Sequence, residues 1–252
     1  VMRQKSLHVT ATGLLIDTAG TGGDNSGTFN ISTTAGFVIA GAGVKVAKHG
    51  NRAMSGATGS ADLLEALGVK IDLGPESVER CLDEAGFGFM FAQRFHPSMK
   101  FAASPRREIG IRSVFNILGP LTNPAGASAQ LIGVADATIG PKMAEVLRLV
   151  KCHHALVVHG FDGMDEVTIS DVTQIWELKE GRIVQYQMTP EELGVERSDL
   201  AALSADSPDK SAAIARSVLD GIKGPHRDVV LVNAAAALLA ADRVESFQDG
   251  VA

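Results

Sequence analysis

A glycine-rich loop near the start of the chain has the composition of a phosphate-binding site. Gly20, Gly23 and Asp24 belong to a turn that follows the short apolar run 14–17, a pattern typical of a buried strand that ends in a loop. Backbone N–H groups of such a loop can converge on an anion, and glycine lets phosphate approach without a Cβ in the way. An ordinary turn is the alternative, because the sequence matches neither the P-loop pattern nor the dinucleotide-binding glycine pattern.

Short polar side chains surround the start of the helix that is predicted to follow this loop. Their hydroxyl and amide groups could bind phosphate oxygens or a metal ion: Thr28, Asn30, Ser32 and Thr33. Simple N-capping is the alternative, and it would need only one of the four side chains.

A basic segment directly follows the next predicted strand, 44–47. Carboxyl ends of strands are where open α/β folds usually bind ligands, so the sequence predicts a second anion-binding loop here. A solvated basic turn is the alternative. The loop and the polar residues that extend it toward the next helix are Lys48, His49, Gly50, Asn51, Arg52, Ser55, Thr58 and Ser60.

Acidic residues follow another predicted strand, 155–159. Asp162, Asp165 and Glu166 lie beside Gly163, and neighbouring carboxylates supply the hard oxygen ligands that Mg²⁺ prefers. An acidic turn without a metal is the alternative.

Arginines mark the segment 104–124, which interrupts the strand and helix pattern. Arg106, Arg107 or Arg112 could hold a carboxylate through its planar guanidinium, although a surface arginine on a helix is the alternative. The sequence contains no serine nucleophile elbow and no cysteine in a reactive context, so it gives no support to covalent catalysis. His153, His154 and His159 are interpreted as sheet-edge or core residues.

Alternating strands and helices must position these groups. This alternation predicts an α/β fold with a mostly parallel sheet and helices on both faces. The predicted strands are 14–17, 44–47, 69–73, 87–92, 130–134 and 155–159, with an antiparallel hairpin within 168–188. The predicted helices are 33–42, 60–67, 75–85, 141–150, 209–219 and 227–241.

Composition excludes several classes of protein. The 252 residues are enough for one large domain with a smaller attachment, and the net charge of −6 argues against generic nucleic-acid or anionic-membrane binding. Every apolar stretch is shorter than a membrane helix needs. Cys81 and Cys152 form no C-x-x-C pair, which favours a reducing cytoplasm.

Five segments, in this order, resemble the anthranilate phosphoribosyltransferases of tryptophan biosynthesis: 20–24, 28–33, 48–52, 115–124 and 160–166. The resemblance implies a Mg²⁺-dependent transfer of the phosphoribosyl group of 5-phosphoribosyl 1-pyrophosphate to anthranilate, with release of pyrophosphate. It also implies a large α/β domain of the nucleoside phosphorylase and phosphoribosyltransferase type, a small helical domain, a homodimer, and no nucleic-acid or membrane partner.

The same resemblance implies roles for individual residues, none of them covalent or acid–base catalysis. Donor binding falls to Gly20, Gly23, Asp24, Thr28, Asn30, Ile31, Ser32, Thr33, Lys48, His49, Gly50, Asn51, Arg52, Ser55, Gly56 and Ser60. Anthranilate binding falls to Gly20, Asn51 and Arg106, and Mg²⁺ binding to Ser32, Asp165 and Glu166.

The resemblance also predicts the domain organisation. Residues 1–103 and 125–252 would form the α/β donor-binding domain, and 104–124 a remnant of the small helical domain. The family's N-terminal helices and last helix are expected to be missing from this chain. The alternatives are a pyrimidine nucleoside phosphorylase, a nucleic-acid-binding relative of the same fold and a non-catalytic structural remnant.

Gly56 departs from the family pattern, which usually has a serine at this point and a lysine soon after it. The missing hydroxyl would weaken contact with the donor's phosphates, so we expect Gly56→Ser to lower the donor KM. Steady-state kinetics at varied donor concentration measures this, and an unchanged or higher KM would contradict it.

Overall fold

The central element is one mixed β-sheet. The computed structural model describes residues 2–53, 58–101, 108 and 114–252, and these contain seven strands in the order β3-β2-β1-β4-β5-β6-β7. Neighbouring strands from β3 to β5 are parallel, whereas β6 is antiparallel to β5 and β7 to β6. The strands are β1 Leu15–Gly20, β2 Lys45–Gly50, β3 Phe87–Phe91, β4 Ala129–Gly133, β5 His154–Gly160, β6 Thr173–Lys179 and β7 Arg182–Met188.

Helices cover both faces of this sheet, which confirms the predicted fold class. The α-helices are α1 Met2–Lys5, α2 Ile31–Gly41, α3 Ser60–Ala66, α4 Pro75–Glu84, α5 Ala92–Phe95, α6 Val114–Leu118, α7 Gly140–Leu149, α8 Pro208–Leu219, α9 Pro225–Ala240 and α10 Phe247–Val251. None of the helices in the described part of the chain combines the length and the apolar character that a bilayer crossing requires.

Successive side chains of the central strands point to opposite faces of the sheet and belong to two separate hydrophobic cores. Leu131 and Leu156 pack with α2 and α9, while Ile132 and Val157 pack with α7. Both sets are buried, so β4 and β5 present apolar side chains to the helices on both faces, as expected of strands in a doubly covered sheet. Functional groups must therefore lie at the ends of these strands.

Three expectations about strands are wrong. The strand predicted at 14–17 continues to Gly20, because its last residues pair with Leu131, Ile132 and Gly133 of β4. Residues 69–73 form no strand, because Val69 N–H donates to the Leu64 carbonyl at 2.9 Å and closes α3, and only Ile71 of this segment is buried. The strand predicted to end at Ala47 continues to Gly50, because Lys48 and His49 pair with Phe89 and Met90 of β3. The first part of the predicted basic loop is therefore strand.

The opposite end of β5 contains a polar cluster that stabilises the fold. His154 is buried, with Nδ1 3.0 Å from the Asp242 carboxylate and Nε2 3.0 Å from the Glu177 carboxylate. Lys179 donates to Asp242 at 2.8 Å. The cluster thus ties the chain just after α9 to β5 and β6, and it confirms a structural interpretation of His154.

We expect Asp242→Asn to destabilise the protein in a pH-dependent way. Partial burial by itself would raise the pKa of Asp242, but Lys179 and His154 lower it to about 2 from an ordinary 3.8. The stabilisation is therefore complete above the ordinary pKa and is lost as the pH falls toward 2. At neutral pH, partial exposure limits the loss to about 1 kcal/mol, or about 2–4 °C in Tm.

Thermal unfolding from pH 7 down to pH 2 measures this effect. Exposed Asp220, at the end of α8, provides the matched control Asp220→Asn, which should leave Tm nearly unchanged. A difference in Tm between wild type and Asp242→Asn that stays constant down to pH 2 would contradict the assigned cause.

Candidate active site

Four parallel strands end in glycine at the same edge of the sheet. Gly20, Gly50, Gly133 and Gly160 are the last residues of β1, β2, β4 and β5. A Cβ at Gly20 would overlap the Asp165 carboxylate, and one at Gly133 would overlap the Asp165 carbonyl. The loop after β5 can therefore cross the ends of β1 and β4 only because both strands end in glycine.

The predicted glycine loop lies against this crossing loop. Gly22 and Gly23 have φ of 69° and 72°, the left-handed region that favours glycine. Gly22 N–H donates to Asp165 Oδ2 at 2.7 Å, and Thr21 N–H donates to the Gly133 carbonyl at 2.9 Å. The structure thus brings together segments that are 143 residues apart in the sequence.

Buried Asp165 and half-buried Glu166 form an acidic pair at the start of α2. Ser32 N–H donates to Glu166 Oε1 at 3.2 Å. Burial raises the pKa of Asp165 well above its ordinary value, and the nearby carboxylates of Asp24 and Glu166 add to the rise. Burial also raises the pKa of Glu166 to about 7, although Lys48 opposes the rise. Negative charge in this pair therefore needs a compensating cation.

Lys48 supplies one positive charge from beneath the site. Its side chain is only 1% exposed, and Nζ donates to the Thr18 carbonyl and lies 3.4 Å from Ser32 Oγ. Burial lowers the pKa of Lys48, while Asp17 and Glu166 favour its charged form. The sequence placed Lys48 on a loop, but it is a strand residue whose ammonium group lies under the first turn of α2.

The oxygen groups at this edge fit Mg²⁺ bound jointly with a substrate phosphate. Within the described residues, no group of three or more His, Cys, Asp or Glu side chains could by itself hold a metal ion. Mg²⁺ commonly takes only one or two protein carboxylates and completes its shell with water and substrate phosphates. Asp165 and Glu166, with the Ser32 hydroxyl beside them, meet that requirement, and their raised pKa values show that a cation would stabilise their charged forms.

Asn30 and Arg52 already have protein partners. The Asn30 side chain accepts from Ser211 Oγ at 2.9 Å and donates to the Thr58 carbonyl at 2.9 Å. Arg52 pairs with Glu65 and Asp62 of α3, which raises the pKa of its guanidinium. In this structure Arg52 faces α3, and Asn30 joins α2 to α8 and to Thr58.

Other predicted site residues also surround the sheet edge. Ile31 is a core residue, and the buried hydroxyl of Thr33 has no hydrogen-bond partner among the described residues. Thr28 is bridged to Ser204, Asn51 directly follows β2, and Ser60 begins α3. Ser55, Gly56 and Arg106 lie outside the described residues, as do Arg107 and Arg112.

His49 lines a second, neutral part of the site. Burial lowers the pKa of His49 to about 3, and His96, whose ring centroid lies 4.9 Å away, adds to the lowering. His49 Nδ1 lies 3.2 Å from the Gly119 carbonyl. Its Nε2 is buried without a hydrogen-bond partner among the described residues. The ring is therefore uncharged at neutral pH.

The sequence analysis missed three residues that hold this edge together. Asp17 and Asn123 are both buried, and Asn123 Nδ2 donates to Asp17 Oδ2 at 2.7 Å and to the Ala47 carbonyl at 2.8 Å. Burial raises the pKa of Asp17 to about 6. Gly133 is the third residue, and its place directly after an apolar run was the available signal. No local pattern pointed to Asp17, and Asn123 lay within the family-like segment 115–124 but received no role from the sequence.

Comparison with known proteins agrees with this geometry. Residues 12–252 match the family described as "Glycosyl transferase family, a/b domain". Anthranilate phosphoribosyltransferase from Dehalococcoides mccartyi is 55% identical over all of this chain and 74% of its own length. The corresponding protein from Moorella thermoacetica is 56% identical, again over 100% of this chain and 74% of its own. The chain belongs to the anthranilate phosphoribosyltransferase family.

Solved structures of this family show the same fold. Anthranilate phosphoribosyltransferase from Thermus thermophilus superposes with a TM-score of 0.93 at 46% identity, over 99% of this chain and 75% of that one. The Saccharomyces cerevisiae enzyme, solved in complex with 5-phosphoribosyl 1-pyrophosphate (PRPP) and Mg, gives a TM-score of 0.90 at 29% identity. This match covers 99% of this chain and 71% of that one. The family resemblance inferred from the motifs is therefore confirmed.

We expect Gly133→Ala to disrupt this edge of the sheet. The new Cβ would overlap the Asp165 carbonyl and displace the acidic loop, lowering the free energy of unfolding by about 1–3 kcal/mol. Urea denaturation measures the change. Gly41 in α2 has open space around a new Cβ, so the control Gly41→Ala should match or exceed wild-type stability. Equal stability of the two variants would contradict the close approach.

Proposed function

We propose that this chain transfers the phosphoribosyl group of 5-phosphoribosyl 1-pyrophosphate (PRPP) to the amine of anthranilate, as in tryptophan biosynthesis. The products are N-(5-phosphoribosyl)anthranilate and pyrophosphate. Membership of the anthranilate phosphoribosyltransferase family supports the reaction. The observation that carries it structurally is the contact between the glycine loop and the acidic loop, Gly22 N–H to Asp165 at 2.7 Å.

Positioning and electrostatics are enough for this chemistry. The aromatic amine is already a nucleophile, and pyrophosphate is a good leaving group. N–H groups of the glycine loop beyond Gly22 would stabilise the charge that grows on the departing phosphates, and Lys48 would add a positive charge below them. A general base or a covalent intermediate is not required. The cleft can bind a strongly anionic donor despite the net charge of −6, because local groups set its field.

Asp165, Glu166 and Ser32 would hold Mg²⁺ together with the donor. When bound, Mg²⁺ supplies a positive charge that neutralises the phosphate oxygens. This assignment is supported by the raised pKa values of both carboxyl groups, which a bound cation would offset, and by the S. cerevisiae relative solved with PRPP and Mg.

Anthranilate would lie on the His49 side of the donor. Asn51, one of its assigned contacts, directly follows β2, two residues after His49. Gly20 and Arg106 complete the assignment, with the Arg106 guanidinium holding the anthranilate carboxylate. Donor binding stays with the residues assigned from the sequence, and Asn30 would contribute by joining neighbouring segments.

Three further assignments stay predictions: a homodimer, a cytoplasmic location without nucleic-acid or membrane partners, and the role of 104–124 as part of a small helical domain. One contact bears on the last. Arg3 in α1 donates to the Leu121 carbonyl at 2.8 Å, so the start of the chain lies against that segment.

The fluorescence of anthranilate provides the test. Incubation with PRPP and Mg²⁺ should make the fluorescence fall, and a control without PRPP should hold it constant. The absence of a decrease with folded protein would contradict the proposal. Phosphorolysis of a pyrimidine nucleoside with inorganic phosphate, followed by absorbance, would instead favour the nucleoside phosphorylase alternative.

Glu166→Gln should weaken the reaction selectively. Removing one anionic oxygen ligand should lower kcat/KM by at least about tenfold and raise the Mg²⁺ concentration needed for half-maximal rate. Glu145→Gln is the matched control, because Glu145 is an exposed residue of α7 paired with Arg148. Equal rates for the two variants would contradict the assignment of Glu166.

A further inference from the structure

Asn233 is a fully buried polar residue in a helix that is otherwise apolar at this level. It lies in α9 and is directly followed by four alanines, Ala234 to Ala237. Its side chain is 0% exposed, and both ends of its amide are hydrogen-bonded. Oδ1 accepts from Val167 N–H at 3.0 Å, and Nδ2 donates to the carbonyls of Val167 and Val229, both at 2.8 Å.

These hydrogen bonds satisfy both backbone polar groups of Val167. A buried N–H or carbonyl without a partner costs about 1–3 kcal/mol, so the amide of Asn233 takes the place that a neighbouring strand would otherwise fill. The bond from Nδ2 to Val229, one turn earlier in α9, fixes which way the amide faces. Val167 is thereby attached to a rigid helix.

The hydrogen bonds between Asn233 and Val167 matter because Val167 directly follows Asp165 and Glu166 in the chain. The Val167 N–H belongs to the peptide unit that also contains the Glu166 carbonyl, so Asn233 fixes the orientation of that peptide. On the other side, Asp165 accepts from Gly22 and Glu166 accepts from Ser32. The acidic pair therefore lies between the donor-side loops and one anchor in α9.

A second anchor restrains the far end of the same loop. Asp162 accepts hydrogen bonds from the hydroxyls of Thr168 and Ser170 and from Met164 N–H. These contacts are local to the loop and fix its internal shape. Asn233 contacts the loop from outside, so it sets where the loop lies relative to the sheet edge.

We propose that Asn233 is a positioning residue for Asp165 and Glu166, and that it tunes their binding of a divalent cation without touching the cation or the substrates. This proposal rests on the proposed function for the role of the two carboxylates. It predicts a change in metal affinity beyond any loss of stability, since residues that orient metal ligands typically change affinity by about 10–100-fold.

Mn²⁺ binding to the intact chain tests the proposal. Mn²⁺ is titrated in the presence of PRPP and without anthranilate, and free Mn²⁺ is followed by electron paramagnetic resonance. Asn233→Ala should raise the Mn²⁺ dissociation constant about tenfold. Asn233→Ser adds no charge, and its single hydroxyl cannot make all three hydrogen bonds of the amide, so it should act in the same direction and provides the test if the alanine variant does not fold.

Val232→Ala is the matched control, because Val232 is equally buried in α9 and its side chain has no hydrogen-bonding group. It should lower Tm. It should leave the Mn²⁺ dissociation constant within about twofold, because a packing defect in α9 is not by itself expected to change the metal affinity of the acidic pair. A shift below about twofold in the folded Asn233 variants, or an equal shift in Val232→Ala, would overturn the proposal.

Kinetics separate this inference from the proposed function. If the chain is a transferase, the Asn233 variants should need more Mg²⁺ for half-maximal rate and should recover much of kcat at saturating Mg²⁺. If wild type does not consume anthranilate, the proposed function fails. The Mn²⁺ titration still reports on the positioning role.

Discussion

The acidic pair of Asp165 and Glu166 imposes the main constraint on this structure. Two neighbouring carboxylates with little access to water are costly unless backbone N–H groups, a lysine or a cation compensate them. The fold provides the first two at fixed positions, through Gly22, Ser32 and Lys48. A cation bound together with an anionic substrate would complete the balance. The limited access of water to these carboxylates is thus consistent with the proposed binding of a metal ion together with a phosphate-bearing substrate.

Close approach of backbones makes this arrangement possible. The acidic loop crosses the ends of β1 and β4 at a distance that leaves no room for a Cβ at Gly20 or Gly133. Asp17 and Asn123 tie β1, β2 and the segment before β4 together just beneath. Asn233 holds the acidic loop from the helix side. The geometry of the proposed site thus depends on Gly20, Gly133, Asp17, Asn123 and Asn233, none of which is proposed to bind the metal ion.

Most of the fold could be predicted from the sequence. The alternation of apolar runs with helix-forming segments indicated the parallel sheet, and Lys179-Glu180-Gly181 indicated the hairpin. The prediction failed at 69–73, where Ile71 alternates with exposed neighbours as in a strand. Alternation reports which side chains are buried but not where backbone hydrogen bonds go, and Val69 donates its N–H to the end of α3.

The sequence by itself determined the family and the α/β architecture, and it predicted candidate residues for binding phosphate and a metal, because these depend on local composition and on motifs in a fixed order. Only the tertiary structure decided that Lys48 lies buried beneath α2, that Arg52 faces α3, and that Gly133 and Asn233 support the acidic pair. Each of these depends on contacts between segments that are distant in the chain. Local sequence patterns do not show which distant segments come into contact.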